Sequence, residues 1–335
     1  MNNTTNKTQP LRDSYNRRID YLRISVTDKC NLKCIYCMPD KKPGLFKEED
    51  LLTNEEIVRL VRIAYKHGLR KVRITGGEPL MREDITWLIS SIKNIGIHDL
   101  SLTTNGIILS KLAGKLKKAG LDRVNISLDS LKQDKFRKIT GGGSIEQVWE
   151  SIREAENVGL TPIKINVVPI REINDDEITT FALLTLGNNY HVRFIEFMPA
   201  SCNAVWSKDK YISSSEIMER ISSLGSVEKL SFRGKGPSRN FRIKGAKGII
   251  GVISPISNHF CKHCNRLRLS ADGKIRPCLF SNKRIDIKAP MRLGASDGEI
   301  EKVFINAVKI KPARHLLNEG APLDSQMESM SKIGG

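Results

Sequence analysis

Acidic residues are in short supply. The chain of 335 residues carries 37 Asp and Glu against 55 Lys and Arg, a formal charge of +18. Such an excess argues for an anionic substrate or partner and says little about fold. Long apolar runs are missing as well. An uncharged stretch such as Gly248–Cys261 is shorter than the roughly 20 residues that a membrane-spanning helix needs, and Pro255, Asn258 and His259 interrupt it. Met1–Asp20 is polar, without the apolar core of a secretory signal, so it reads as an N-terminal extension of a cytoplasmic protein with no membrane partner. Wholesale disorder is excluded by 39% hydrophobic and 27% charged residues, which is ordinary globular usage. There are only seven cysteines. In a reducing compartment they read as metal or redox ligands before disulfides.

From Tyr21 to Phe197, short β-branched runs alternate with longer amphipathic stretches, the pattern of βα units that build a parallel sheet. The expected strands are Tyr21–Val26, Lys71–Thr75, Asp99–Thr103, Arg123–Leu128, Ile163–Val168 and His191–Phe197. Between them, Asn54–His67 and Ile145–Val158 place apolar residues at helical spacing, and Thr53 with Glu56 forms a capping box. A doubly wound sheet and a (β/α) barrel both fit. Six units fall short of a closed eight-stranded barrel, so the expectation is an α/β fold with a partial (β/α)6 TIM-like barrel. After Ile217 the texture changes to short strands, Phe241–Ile243, Gly248–Ile253 and Leu267–Ser270, with turns such as Asp272-Gly273. The expected domains are therefore an extension over 1–20, a barrel over 21–220 and a smaller C-terminal module over 221–335 closing the open side. Helix Glu299–Lys309 and an irregular end from Lys311 complete that module.

Cys30, Cys34 and Cys37 follow the first strand in a C-x3-C-x2-C spacing, with Tyr36 before the last of them. Three thiolates within eight residues point to a common centre rather than to packing. If that centre is a four-iron cube, one iron is left open for a small-molecule ligand. Polar residues recur where other strands end, in Gly76-Gly77-Glu78, in Thr103-Thr104-Asn105 and in Ser127 with Asp129, and Met198 follows the sixth strand. In parallel α/β architectures ligands bind at that carboxyl rim. Glu78 could accept a hydrogen bond from an ammonium there.

Cys261, Cys264 and Cys278 form a second trio, C-x2-C-x13-C, which reads either as a second cluster or as a zinc ribbon completed by His259 or His263. Cys202 has no partner at ligand spacing and reads as a structural thiol. Residues 231–290 hold fourteen Lys or Arg against two Asp or Glu. Within that stretch Arg266 and Arg268 lie two apart on an expected strand and so share a face. Paired guanidinium groups suit phosphate, although charge alone also admits a nucleic-acid patch.

The stretches LRISVTDKCNLKCIYCMP, VRITGGEPLMR, LTTNG, NISLDS, RFIEFMP and FCKHCNRLRLSADGKIRPCLF, with a terminal Gly334-Gly335, resemble the GTP 3′,8-cyclase family of the radical S-adenosylmethionine (SAM) superfamily. The resemblance spans nearly the whole chain. It implies a lyase that opens molybdenum cofactor (molybdopterin) biosynthesis, converting GTP to (8S)-3′,8-cyclo-7,8-dihydroguanosine 5′-triphosphate. A 5′-deoxyadenosyl radical from SAM would take hydrogen from C3′, and the carbon radical would attack C8 of guanine. By the same resemblance, Cys30, Cys34 and Cys37 hold one [4Fe-4S] cluster, and Tyr36, Gly77, Ser127 and Met198 contact SAM. Cys261, Cys264 and Cys278 hold a second [4Fe-4S] cluster. Arg23, Arg73, Thr104, Lys164, Arg266, Leu267 and Arg268 bind GTP, and the Gly334-Gly335 tail reaches the active site; Arg193 is added to that set as a cation facing the triphosphate. A homodimer, an unidentified electron donor and delivery of product to cyclic pyranopterin monophosphate synthase are implied too; nucleic acid is not an expected partner. Glu172 stands where that family usually has glycine.

Overall fold

The computed structural model describes residues 10–37, 45–199, 206–231, 236–315, 317 and 330–334. Cys202 and Gly335 lie outside the described residues. Twelve strands form one sheet: β1 (Tyr21–Ser25), β2 (Lys71–Thr75), β3 (Asp99–Thr104), β4 (Arg123–Ser127), β5 (Lys164–Val167), β6 (His191–Ile195), β7 (Val227–Leu230), β8 (Ser238–Ile243), β9 (Ile249–Ile253), β10 (Arg266–Leu269), β11 (Lys274–Arg276) and β12 (Ile285–Asp286). Their spatial order is β12-β11-β10-β1-β2-β3-β4-β5-β6-β9-β8-β7. β1–β6 run parallel in sequence order, each returned to the sheet by helical crossovers. The expected partial barrel is thus present, and its two ends do not meet.

The C-terminal strands do not stand apart as a separate layer. β10 pairs parallel to β1, and β9 pairs parallel to β6, so both free edges of the six-stranded unit are covered. Antiparallel hairpins then finish each end of the sheet. An uncovered edge strand is a template for misassociation, and here the later part of the chain covers both flanks of the six-stranded unit and, among the described residues, leaves only the short strands β7 and β12 as edges.

Alternation along the strands divides the sheet into two faces. In β1, Leu22 and Ile24 are buried completely while Tyr21 and Arg23 are partly open; Val72 and Ile74 alternate with Lys71 and Arg73 in β2. The apolar set packs against helices such as Asn54–Lys66, whose Ile57, Leu60, Val61 and Ala64 supply the facing stripe. Thr53 caps that helix reciprocally, accepting from Glu56 N at 3.1 Å while Glu56 accepts from Thr53 N at 2.8 Å. The polar set points inward, into the cavity.

Residues 10–20 of the N-terminal extension are docked on the fold: Leu11 and Ile19 are 5% and 1% exposed, Arg12 bridges Arg18, and Leu11 N donates to the His67 carbonyl at 3.0 Å. Two apolar residues eight apart make no periodic pattern, which hid the segment. β7, an edge strand paired only with β8 among the described residues, lies in a Ser- and Gly-rich stretch that carries no apolar periodicity.

Candidate functional site

A cavity of about 690 Å³ occupies the interior of the curved sheet, lined from β1 to β6, from β9 and β10, and from both cysteine trios. The first trio sits on the loop after β1. The Gly76-Gly77 turn lies flat against the backbone just before Cys30: Gly77 N donates to Thr27 O at 2.7 Å and Glu78 N to Lys29 O at 2.8 Å. A Cβ on Gly77 would come within 2.3 Å of Lys29 O, so only glycine permits this approach. Beyond Cys30 the loop is stitched to the end of helix Gln133–Thr140, with Lys33 N on Thr140 O at 2.7 Å and Ile35 N on Ile139 O at 2.9 Å.

Glu78 does not present its carboxylate to the cavity. It is fully buried and accepts from Thr104 Oγ1 at 2.8 Å, Asn105 N at 2.8 Å and Leu80 N at 3.1 Å. Those donors, not an ammonium, satisfy it. Burial nonetheless lifts its pKa to about 7. Its role is to tie the end of β2 to the end of β3, and Thr104, which lines the cavity, is held by that tie.

Tyr36, Gly77, Ser127 and Met198 all line the cavity that the first trio also lines. The Tyr36 hydroxyl donates to Asp129, whose other oxygen accepts from Val168 N at 2.8 Å. Burial raises the Asp129 pKa to about 6. The trio's thiols are free and all shifted upward. Burial dominates for each; Cys34 is pushed well up with help from Cys37, and Cys37 reaches about 12 with help from Cys30. Mutually repelling, desolvated thiols are resolved by a cationic metal centre, which deprotonates its sulfur ligands. Amide donors already face the Cys30 sulfur, Leu32 N at 3.5 Å and Asn105 Nδ2 at 3.9 Å. The set fits an iron–sulfur cluster.

The second trio lines the same cavity. Burial raises the Cys261 pKa. At Cys264 burial is outweighed by Arg266 and Lys311, which bring the thiol down to about 7. The zinc-ribbon reading needs a histidine. His263 is exposed, while His259 packs edge-on against His315 with ring centres 5.4 Å apart. Among the described residues, no three Cys, His, Asp or Glu side chains converge on a single ion. His259 and His315 line the cavity beside these three thiols.

Between the trios the wall is cationic. Register places Arg268, Arg23, Arg73, Ser101 and Arg123 side by side across β10, β1, β2, β3 and β4, and Arg193 stands opposite Asn166 and Gly251. Nine lysines and arginines line the cavity against Asp99, Asp129 and Glu196. Asp99 is engaged by Arg123, whose second nitrogen lies 3.0 Å away. Glu196 is buried under five donors from Tyr211, Ser214, Ile256 and Ser257. Burial first and neighbouring cations second depress Lys164 to about 6, Arg193 to about 9 and Arg268 to about 10, and Arg23 is also well lowered. A polyanion is what this wall lacks.

Of the sequence-predicted anion ligands, Arg23, Arg73, Thr104, Lys164, Arg193, Arg266 and Arg268 line the cavity. Leu267 does not. Pleat alternation turns its side chain into the core, 1% exposed and level with Leu22. Near the C-terminus, Met330 lines the cavity, and Arg268, a wall residue, donates to the Gly334 carbonyl. Sequence reasoning missed Tyr21, Lys71, Arg123 and Lys311 on the wall. Tyr21 and Lys71 were findable, since each lies two residues before a chosen arginine on the same strand and therefore on the same face.

Residues 24–184 match the family described as the radical SAM superfamily, and residues 190–317 match Molybdenum Cofactor Synthesis C. The chain is 49% identical over 328 residues to a GTP 3′,8-cyclase of Thermodesulfovibrio yellowstonii, covering 97% of this chain and all of that one. It is likewise 49% identical to a GTP 3′,8-cyclase of Moorella thermoacetica, with the same shares covered. Among solved structures, Streptococcus suis SuiB bound to precursor peptide SuiA aligns with a TM-score of 0.60 at 16% identity, covering 89% of this chain and 67% of that one. At that identity the likeness concerns the fold alone.

Proposed function

Because this chain belongs to the GTP 3′,8-cyclase family of radical SAM enzymes, we propose that its cavity converts GTP to the 3′,8-cyclised nucleotide at the start of molybdenum cofactor biosynthesis. The observation that carries the reading is one cavity lined by two cysteine trios with a cationic wall between them. Cys30, Cys34 and Cys37 would hold a [4Fe-4S] cluster, and Cys261, Cys264 and Cys278 a second. Such a cluster, when bound and reduced, supplies the electron that breaks the sulfonium bond of SAM.

The chain's own residues do the rest. Tyr36, Gly77, Ser127 and Met198 border the SAM side, where Asp129 fixes the Tyr36 ring by its hydroxyl. Arg23, Arg73, Lys164, Arg193, Arg266 and Arg268 take the triphosphate, with Thr104 held toward the cavity by Glu78. Leu267 serves this site by spacing the two arginines on either side of it. Residues 21–220 thus carry the SAM half and 221–335 the second trio. A homodimer, a cytoplasmic setting, a separate electron donor and hand-over of product to cyclic pyranopterin monophosphate synthase belong to the same reading.

The test is incubation of anaerobically reconstituted protein with GTP, SAM and a strong reductant. The expected products are 5′-deoxyadenosine and a cyclised guanine nucleotide in step. Deoxyadenosine formed only with some other substrate would overturn the assignment of GTP.

A further inference from the structure

Lys311 falls in the stretch that reads as an irregular chain end, yet it is 4% exposed and lines the cavity. Its ammonium donates to Arg266 O at 2.9 Å and to Pro277 O at 2.5 Å, and its charge helps to lower the pKa of the Cys264 thiol. Arg266 lies two residues beyond Cys264, and Pro277 immediately precedes Cys278. One side chain therefore joins the two segments that carry the second trio. Its position is fixed independently of any ligand. Arg17 donates to Pro312 O at 2.6 Å, to Ala313 O at 2.9 Å and to Cys261 O at 2.7 Å, which pins the strap bearing Lys311 against the same loop.

None of the ion pairs among the described residues supplies Lys311 with a carboxylate. An ammonium removed from water without an anion is costly. Three thiolates sharing a cluster provide negative charge beside the two carbonyls, Arg266 O and Pro277 O, that already hold its ammonium. We propose that Lys311 is the counter-ion and positioning residue of the second trio, raising the reduction potential of the cluster bound there. The proposal rests on the reading that this trio holds a cluster. Charge near a cluster is an established determinant of its potential, and Lys311 supplies a cation held between the two segments that carry the trio.

The test compares full-length wild type with Lys311→Met and Lys311→Arg, each reconstituted anaerobically, by iron content and by redox titration followed with electron paramagnetic resonance. Addition of SAM marks the first cluster's signal, which serves as internal reference. In Lys311→Met the second cluster's midpoint is expected to move to more negative potential while the first stays in place. Lys311→Arg keeps the charge and is expected to stay nearer wild type. Should Lys311→Met lose the second cluster altogether while Lys311→Arg retains it, the counter-ion role is again supported. If both variants lose iron alike, or the second cluster keeps its wild-type midpoint in Lys311→Met, the residue is a backbone clamp and the proposal fails. Wild type with only about four irons per chain, one cube in place of two, would instead remove the second-cluster reading itself.

Discussion

Arg268 donates a hydrogen bond to the backbone carbonyl of Gly334, so a guanidinium on the cavity wall holds the end of the chain. Gly334 has φ of 73°, and a Cβ there would stand 2.2 Å from Thr75 Oγ1 and 3.3 Å from Ser25 Cβ. The tail is lodged against the carboxyl ends of β1 and β2, with Ile333 buried behind it. The same arginine thus sits where the tail and an anionic substrate meet.

Arg268→Ala is expected to free the tail while leaving both trios' iron in place. A hydrogen bond to a charged donor contributes about 1.5–3 kcal/mol, so carboxypeptidase should remove the last residues on the order of ten times faster or more. GTP turnover should weaken in parallel. Unchanged trimming and unchanged turnover would show that the contact holds nothing.

Lys164 gives a pH signature. Its folded-state pKa of about 6 lies below the ordinary value of 10.5, so its contribution to stability is fully present above the ordinary value and is lost as pH falls through about 6. Urea unfolding between these limits should show stability rising with pH in wild type and rising less in Lys164→Met. A bound triphosphate restores the charge, so near pH 8 binding should take up protons, measurable by calorimetry in buffers of different ionisation heat. Equal proton uptake by wild type and Lys164→Met would exclude Lys164 as its source.

Gly77→Ala should damage the first cysteine loop selectively, because the added methyl meets Lys29 O at 2.3 Å and Asp28 O at 2.7 Å. Both are backbone atoms and cannot rotate aside. The expected result is loss of SAM binding and of roughly half the iron of a two-cube protein. Full iron with normal SAM affinity would mean that the turn has room to spare.

Glu172 holds φ of 64°, the left-handed backbone that favours glycine. Its amide donates to Asp175 at 2.8 Å, so the loop keeps its shape despite the strain. Glu172→Gly is expected to stabilise the protein by about 0.5–1 kcal/mol, the relief of left-handed strain less the greater entropy of unfolded glycine. A lower urea midpoint in the variant would show the side chain to be net stabilising.

Much of this was legible in the sequence where chemistry and periodicity coincide. β2 matches its expected range residue for residue, since Val72 and Ile74 alternate with Lys71 and Arg73. The Arg266 and Arg268 pair faces the cavity for the same reason of parity, and that parity also excludes Leu267. What stayed hidden depends on distant partners. Glu78 looked like a ligand until Thr104 and Asn105, some 26 residues on, were seen to use its oxygens. Lys311 carries no local pattern, and its meaning comes only from carbonyls 34 and 45 residues away. β7 and the docked residues 10–20 lack apolar periodicity and owe their order to neighbours.

The pairing of β10 with β1 and of β9 with β6 also governs how the chain can be made. During synthesis the six-stranded unit emerges with two bare flanks, and neither is sheathed until residues beyond 249 leave the ribosome. A nascent or truncated product that stops earlier therefore carries a pair of adhesive borders. In this architecture the segment that brings the second set of sulfurs is also the one that makes the first half safe from self-association.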